Sequence, residues 1–214
     1  MVRMDLSEIR NEYMLKSLDV ESVNENPIFQ LNLWLNEASF AKCFEYNAMT
    51  LATVSNEGQP STRVVLLKYL EKESLVFFSN YNSRKGKELI LNHKAAANFF
   101  WPELERQVRI EGSIVKTDPE ISDYYFHARP FESQISAIIS PQSCEIADRS
   151  VLENEWNKLF LNSYGKELAR PDYWGGFILK PNRIEFWQGR SHRLHDRIIY
   201  KKQTAGWQIK RLAP

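Results

Sequence analysis

The stretch 186–200, FWQGRSHRLHDRIIY, sets Arg190, His192, Arg193, His195, Asp196 and Arg197 between aromatic and aliphatic residues. If 192–197 is extended, successive side chains alternate faces. Arg193, His195 and Arg197 then share one face, and His192, Leu194 and Asp196 the other. Three cation-capable groups on one face repel each other unless an anion or a π-system lies among them. The alternative is a solvated edge-strand face whose charges block pairing with other chains. A metal site is disfavoured, because the two imidazoles face opposite ways and no thiolate or carboxylate cluster joins them.

Three further segments carry anion chemistry. In NSRKGKELI, Arg84 and Lys85 fall in the first turn of an expected helix, where cations oppose the helix dipole. That placement makes sense if a phosphate docks on the main-chain N–H groups there; otherwise it is an exposed basic turn. In DYYFHARPFES, Tyr125 and Arg129 are i and i+4 on one helix face and Ser133 follows Pro130, which makes a cup for a second phosphate. The alternative is a core Tyr125 and a surface Arg129. In STRVVLLKYL, Arg63 and Lys68 flank an apolar run, and alternation sends them to opposite faces, either to two different anions or as strand-end charges. Phe78, Trp101 and Trp187 are candidates to flank a planar ligand. Two phosphate cups beside flat apolar surface imply two phosphorylated ring compounds, one cofactor and one substrate.

The elements that must position these groups are legible in outline. Spacing predicts a short helix over 5–18, a polar connector over 19–26, and a second helix from Pro27 to about Cys43. Strand signals cover 48–55, 61–70 and 74–80, then a helix 83–92 with Ser83 as N-cap, and strands 95–101 and 106–117. Asp118-Pro119 opens a helix to about Ala128 that Pro130 interrupts. A helix over 150–165 ends at Gly165. The tail reads as strands FILK, IEFWQG, RIIYKK and GWQIKRL joined by tight turns. Strands joined by short turns, with helices interspersed, predict a mainly β, α+β antiparallel barrel with peripheral helices. No βαβ alternation, GxGxxG or GxxxxGK supports a nucleotide-binding α/β fold.

Bulk properties set limits. The 214 residues carry a net charge of +1, which argues against nucleic-acid binding. Cys43 and Cys144 lack zinc spacing and read as reduced thiols. No apolar run reaches the roughly 20 residues of a membrane span, and the N-terminus has no signal-peptide core, so a cytoplasmic location is expected.

In the segments RVVLLK, SRK, LERQVRIEG, YFHARPFESQI, WGGF, IEFWQG and HRLHDR, taken in order from RNEY at 10–13 to the terminal RLAP, the chain resembles the pyridoxine (pyridoxamine) 5′-phosphate oxidases, which use FMN. The resemblance implies an FMN-binding split β-barrel over 27–214, preceded by an N-terminal helix and mobile lid over 1–26, and a homodimer with FMN at the subunit interface. By resemblance, Arg63, Val64, Val65, Leu66, Leu67 and Lys68 line the flavin. Arg63, Arg84 and Lys85 hold its phosphate, with Phe78 and Ser79 nearby, and Gln107 contacts the ring system. Gln142, Ser143, Trp187 and Arg197 reach FMN from the partner subunit. Lys68, Tyr125, Arg129 and Ser133 grip the substrate phosphate, Arg193 and His195 sit over its ring as the catalytic pair, and Arg10 and Tyr13 belong to the lid. Two departures are Pro141, where a lysine is expected, and Arg190 in place of a glycine.

The implied reaction oxidises C4′ of pyridoxine or pyridoxamine 5′-phosphate to pyridoxal 5′-phosphate, with oxygen reduced to hydrogen peroxide. Here the flavin supplies the electron chemistry and the protein supplies orientation. Arg193 is expected to orient substrate and stabilise charge, and His195 to hydrogen-bond nearby. Rival readings are a split-barrel flavin reductase and a non-catalytic flavin binder.

Overall fold

The computed structural model describes residues 6, 8 and 12–214. Its elements are α1 (Pro27–Phe40), β1 (Ala48–Val54), β2 (Pro60–Leu66), β3 (Tyr69–Leu70), β4 (Leu75–Asn80), α2 (Arg84–Leu91), β5 (Lys94–Trp101), β6 (Arg106–Lys116), α3 (Pro119–His127), α4 (Phe131–Ile139), α5 (Arg149–Ser163), β7 (Trp174–Gln188), β8 (Asp196–Lys202) and β9 (Trp207–Leu212). The hydrogen-bonded strand order is β2-β1-β5-β6-β7-β4-β3, with β8 on β7 and β9 on β8. This is the antiparallel, mainly β architecture expected. Contacts divide the chain into two units, 1–46 with 98–110 and 182–214, and 47–97 with 111–181. No described helix is long and apolar enough to cross a membrane.

In the second unit, β1 alternates half-buried and buried positions and pairs antiparallel with β2, Leu51 opposite Arg63. The strand expected over 61–70 is broken in two. Asn47 bridges Leu67 on both sides, and the Lys68 N–H then donates to Val76 O at 2.8 Å, so the chain changes partner from β1 to β4 at this point. Helix α2 starts where the sequence places it, with the Ser83 hydroxyl accepting from Gly86 N. Gly86 is required by close approach, since a Cβ there would stand 2.3 Å from Tyr81 O. Pro130 does more than interrupt: it is the N-cap of α4, a helix not foreseen. Phe126, Ile135, Ala137, Leu168 and Trp174 form a core cluster that α5 flanks through Trp156 and Phe160.

In the first unit, Asn26 caps α1 and Pro27 occupies its first turn. Trp34 meets Phe186 edge-on, and Phe186 meets Tyr200 in the same way. Register pairs Trp187 with Arg197 across β7 and β8. FILK, of the second unit, and IEFWQ, of the first, belong to one continuous β7 instead of two strands, Pro181 lying buried within it. The helix expected over 5–18 is absent from 12–18; its earlier part lies largely outside the described residues. There the main chain is held by distant side chains instead: Leu15 N donates to Glu105 Oε2 at 3.1 Å and Leu18 N to Asp196 Oδ2 at 3.0 Å.

Candidate functional site

The anion cradle of the second unit is built at the start of α2. Lys85 Nζ donates to Gln142 Oε1 at 2.7 Å, Ser79 Oγ at 3.0 Å and Ser83 Oγ at 3.3 Å. All three acceptors are neutral. Burial, reinforced by the Arg63 guanidinium, pulls the ammonium down to about 8. A half-buried cation held by neutral oxygens fits a phosphate, which would supply the missing negative charge. Gln142, which the resemblance brings from a partner subunit, stands in the cradle of its own chain. Pro141 starts the turn that carries it, closed by Cys144 N to Pro141 O at 2.9 Å with Ser143 at φ 72.

Arg63 and Arg84 converge on a carboxylate that sequence reasoning missed. Glu88 is 6% exposed. It accepts from Arg84 Nε at 2.8 Å, Ser61 Oγ at 2.8 Å and Thr53 Oγ1, with Arg63 Nη2 at 3.5 Å. Both terminal nitrogens of Arg63 are engaged by protein, Nη1 by Thr53 Oγ1 and Nη2 by Ser61 Oγ, each at 2.6 Å. Burial alone would raise the Glu88 pKa, but the bonds from Thr53, Arg84 and Ser61 hold it at about 2. The readable signal was the i, i+4 spacing from Arg84. Because the folded pKa lies below the ordinary carboxylate value of 4.5, Glu88 contributes stability above that value and loses it as pH falls toward 2. Glu88→Gln is expected to abolish roughly 2–3 kcal/mol of this pH-dependent stability. Urea melts between pH 2.5 and 6 check it; equal slopes for variant and wild type would refute it.

A second cluster joins β4, α3 and the start of β7. Phe78 and Tyr125 stack at 3.9 Å, and Trp174 lies parallel to both at 5.7 and 6.1 Å. Lys68 Nζ is 6.0 Å from the Tyr125 ring centre, and the Arg129 guanidinium is 4.6 Å from that of Trp174. Arg129 Nη1 is buried with no hydrogen-bond partner among the described residues, and burial lowers the guanidinium pKa. Ser133 lies half-buried in the first turn of α4. Lys68, Tyr125 and Arg129 are thus brought near one aromatic cluster, although Arg129 lies past the end of α3 and not on its face, and Trp174, the first residue of the WGGF segment, joins Phe78 and Tyr125 there. A cavity of about 810 Å³ touches both clusters, through Arg129 and Trp174 on one side and Asn80 and Gln142 on the other. Val64 is 63% exposed on the sheet-edge strand β2, Val65 and Leu66 are half-buried and Leu67 is buried.

In the first unit, the alternation expected over 192–197 fails. Ser191–Arg193 is a 3₁₀ turn with His192 and Arg193 left-handed, and β8 begins only at Asp196. Two residues in that region break the up-down order, so Arg193 and His195 do not share a face by strand geometry. His195 packs on Trp187 at 4.7 Å and meets Tyr13 edge-on at 5.9 Å. Tyr13 also meets Trp187 at 5.7 Å. It lies so close to Gly189 that a Cβ there would stand 2.7 Å from the Tyr13 Cβ. Arg197 donates through Nε to the buried Glu185 at 2.8 Å, which raises its pKa, and Nη1 reaches Ala213 O. Arg190 spans Lys16 O at 3.4 Å and Asp196 at 3.7 Å. Gln107 is half-buried on the face of β6 opposite the core positions 106, 108 and 110. Trp101 does not flank a ligand; it is 1% exposed and its Nε1 donates to Tyr46 O at 2.9 Å. Arg10 lies outside the described residues.

Residues 38–162 match the family model described as pyridoxamine 5′-phosphate oxidase, and 174–214 the pyridoxine 5′-phosphate oxidase C-terminal dimerisation region. A pyridoxine/pyridoxamine 5′-phosphate oxidase of Leptospira interrogans is 52% identical over 211 residues, covering 98% of each chain. One from Cytophaga hutchinsonii is 48% identical over the full length of both. Among solved structures, PhzG from Burkholderia lata 383, in complex with tetrahydrophenazine-1-carboxylic acid, superposes with a TM-score of 0.87 at 30% identity, over 93% of this chain and all of that one. A pyridoxamine 5′-phosphate oxidase-related, FMN binding protein from Nostoc punctiforme shares the fold at a TM-score of 0.70 and 15% identity, over 90% of this chain and 99% of that one. The fold is the split barrel of flavin-binding proteins, as the sequence led us to expect. With both regions of the family present in order and near-half identity end to end, the chain belongs to the pyridoxine/pyridoxamine 5′-phosphate oxidase family.

Proposed function

We propose that the protein is an FMN-dependent oxidase that converts pyridoxine or pyridoxamine 5′-phosphate to pyridoxal 5′-phosphate, with oxygen reduced to hydrogen peroxide and, for the amine, water consumed and ammonia released. The observation that carries this reading is Arg129 Nη1, a buried donor without an acceptor among the described residues, standing on Trp174 beside Tyr125 and Lys68. An unpaired buried donor is costly, and a substrate phosphate relieves that cost. FMN is the cofactor, and when bound it would supply the two-electron redox chemistry between the substrate C4′ and oxygen.

The chain's own groups bind and orient. Lys85, Ser79 and Gln142 hold the flavin phosphate, and Glu88 fixes Arg63 and Arg84 around it. The edge strand β2 lines the flavin with Val64 to Leu67, and Gln107 contacts its ring system. Lys68, Tyr125, Arg129 and Ser133 anchor the substrate phosphate. Arg193 and His195 stand over the substrate ring, and Tyr13 closes against Gly189 as part of a lid. The C-terminal dimerisation region supports a homodimer with FMN at the subunit interface, where Trp187 and Arg197 contribute from the second copy.

Likeness to PhzG favours a second reading, oxidation of a carboxylated polycyclic substrate without phosphate. The test is anaerobic mixing of flavin-loaded protein with pyridoxamine 5′-phosphate. The yellow flavin band is expected to bleach, and admitted oxygen to restore it with release of peroxide and pyridoxal 5′-phosphate. Unphosphorylated pyridoxamine should leave the band intact at the same concentration. Bleaching by tetrahydrophenazine-1-carboxylic acid alone would transfer the assignment to the second reading, and bleaching by a reduced nicotinamide alone would make the protein a reductase.

A further inference from the structure

The connection between β7 and β8 keeps two consecutive residues with side chains, His192 (φ 56) and Arg193 (φ 61), in the left-handed region. That region is unfavourable for residues with a Cβ, and such strain tends to persist where it serves a site. Here it closes the chain on itself. Leu194 N donates to Ser191 O at 3.1 Å, and Arg190 N donates to Nδ1 of His195, also at 3.1 Å. A main-chain N–H can only donate, so Nδ1 carries its lone pair, and the proton of a neutral imidazole is then on Nε2. Trp187 and Tyr13 hold the ring from its sides, and Arg190 is tied to Asp196 and Lys16 O. Burial, and secondarily the Arg193 cation, lower the His195 pKa, which favours the neutral ring that this hydrogen bond requires.

We infer that His195 acts as a neutral hydrogen-bond donor through Nε2–H, locked in that tautomer by the main-chain N–H of Arg190, and is not a proton acceptor at the reacting centre. Nε2 already holds its proton. The lone pair that remains faces the Arg190 N–H, and protonating it would set two donors against each other. Arg190 is thereby a positioning residue through its main chain. This distinguishes His195 from a general base, and it rests on the oxidase reading only for what the donor touches.

Two measurements test it. Long-range ¹⁵N NMR of histidine-labelled, flavin-loaded protein at pH 7 is expected to show Nε2 protonated and Nδ1 unprotonated. A ring protonated on Nδ1, whether as the other tautomer or as imidazolium, would overturn the inference, and this arm needs no turnover. In the second arm, kcat/KM for pyridoxamine 5′-phosphate is compared at saturating FMN. His195→Ala is expected to lose about 100-fold, the scale of one removed donor. His195→Gln, whose terminal N–H reaches near the Nε2 position but carries no proton back and forth, is expected to stay within about tenfold of wild type. A Gln variant as slow as Ala, with the folded spectrum kept, would restore the proton-carrier role, for which losses of about 10²–10⁴ are usual. Wild-type protein that fails to turn over would refute the oxidase reading while leaving the tautomer result standing.

Discussion

Arg129→Ala is expected to raise KM for pyridoxamine 5′-phosphate by about 30- to 150-fold while kcat falls little. A charge-assisted bond to phosphate is worth about 2–3 kcal/mol, and roughly 1.4 kcal/mol is tenfold. The bond is made in the ground state and the transition state alike, so its loss appears in KM. Arg129→Lys should recover only part, because an ammonium keeps the charge but not the guanidinium that stands 4.6 Å from the Trp174 ring centre. The same substitution should leave the unliganded protein as stable as wild type or more so, since it removes a buried nitrogen that nothing in the described chain satisfies. Steady-state kinetics with phosphorylated and unphosphorylated substrate, beside thermal melts of the flavin-free protein, check both halves. An unchanged KM would remove the second phosphate cup, and a sharp loss of stability would make Arg129 a structural residue.

Lys85→Met should weaken FMN binding by about 30- to 1000-fold and leave riboflavin binding nearly unchanged, because the ammonium addresses the phosphate alone. Its pKa of about 8 adds a signature. A lysine whose folded pKa is depressed destabilises the folded state when charged. The unliganded protein therefore gains stability from this group as pH rises from about 8 toward its free value of 10.5. A bound phosphate restores the charge, so FMN binding takes up a proton between those limits and affinity falls as pH rises through them. Titration calorimetry near pH 9 in buffers of different ionisation enthalpy measures that uptake. No uptake in wild type, or equal FMN affinity in the variant, would detach Lys85 from the phosphate.

Local rules made part of this site readable in advance. Ser83 announces the start of α2, and with it where Arg84 and Lys85 stand. Tyr125 falls in the last turn of α3 as its spacing predicts, but the helix ends at His127, and Arg129 stands in the turn beyond it, its N–H donating to Phe126 O at 3.2 Å, so the two do not share a helix face. What escaped depended on partners far along the chain. Nothing near Asn182 says that Lys180, Pro181 and Asn182 stay within the single strand β7. Nothing between His192 and Arg197 warns that two left-handed residues break the alternation. Pro130 reads as a stop because proline ends helices more visibly than it begins them, although Phe131, Ile135 and Ile138 at helical spacing mark α4. Glu88, Glu185 and Trp174 looked like ordinary surface or core residues until the fold brought the arginines to them.

The stitching of Leu18 to Asp196, 178 residues away, and of its carbonyl to Arg211, 193 residues away, bears on biosynthesis. A ribosome delivers the first of these residues long before the last. Until β8 and β9 emerge, residues 12–19 have no anchor for these bonds, and Tyr13 no Gly189 or Trp187 to rest on. Leu18 is therefore made long before its partners, and a chain cut short before Asp196 would lack both groups that hold its N–H and its carbonyl.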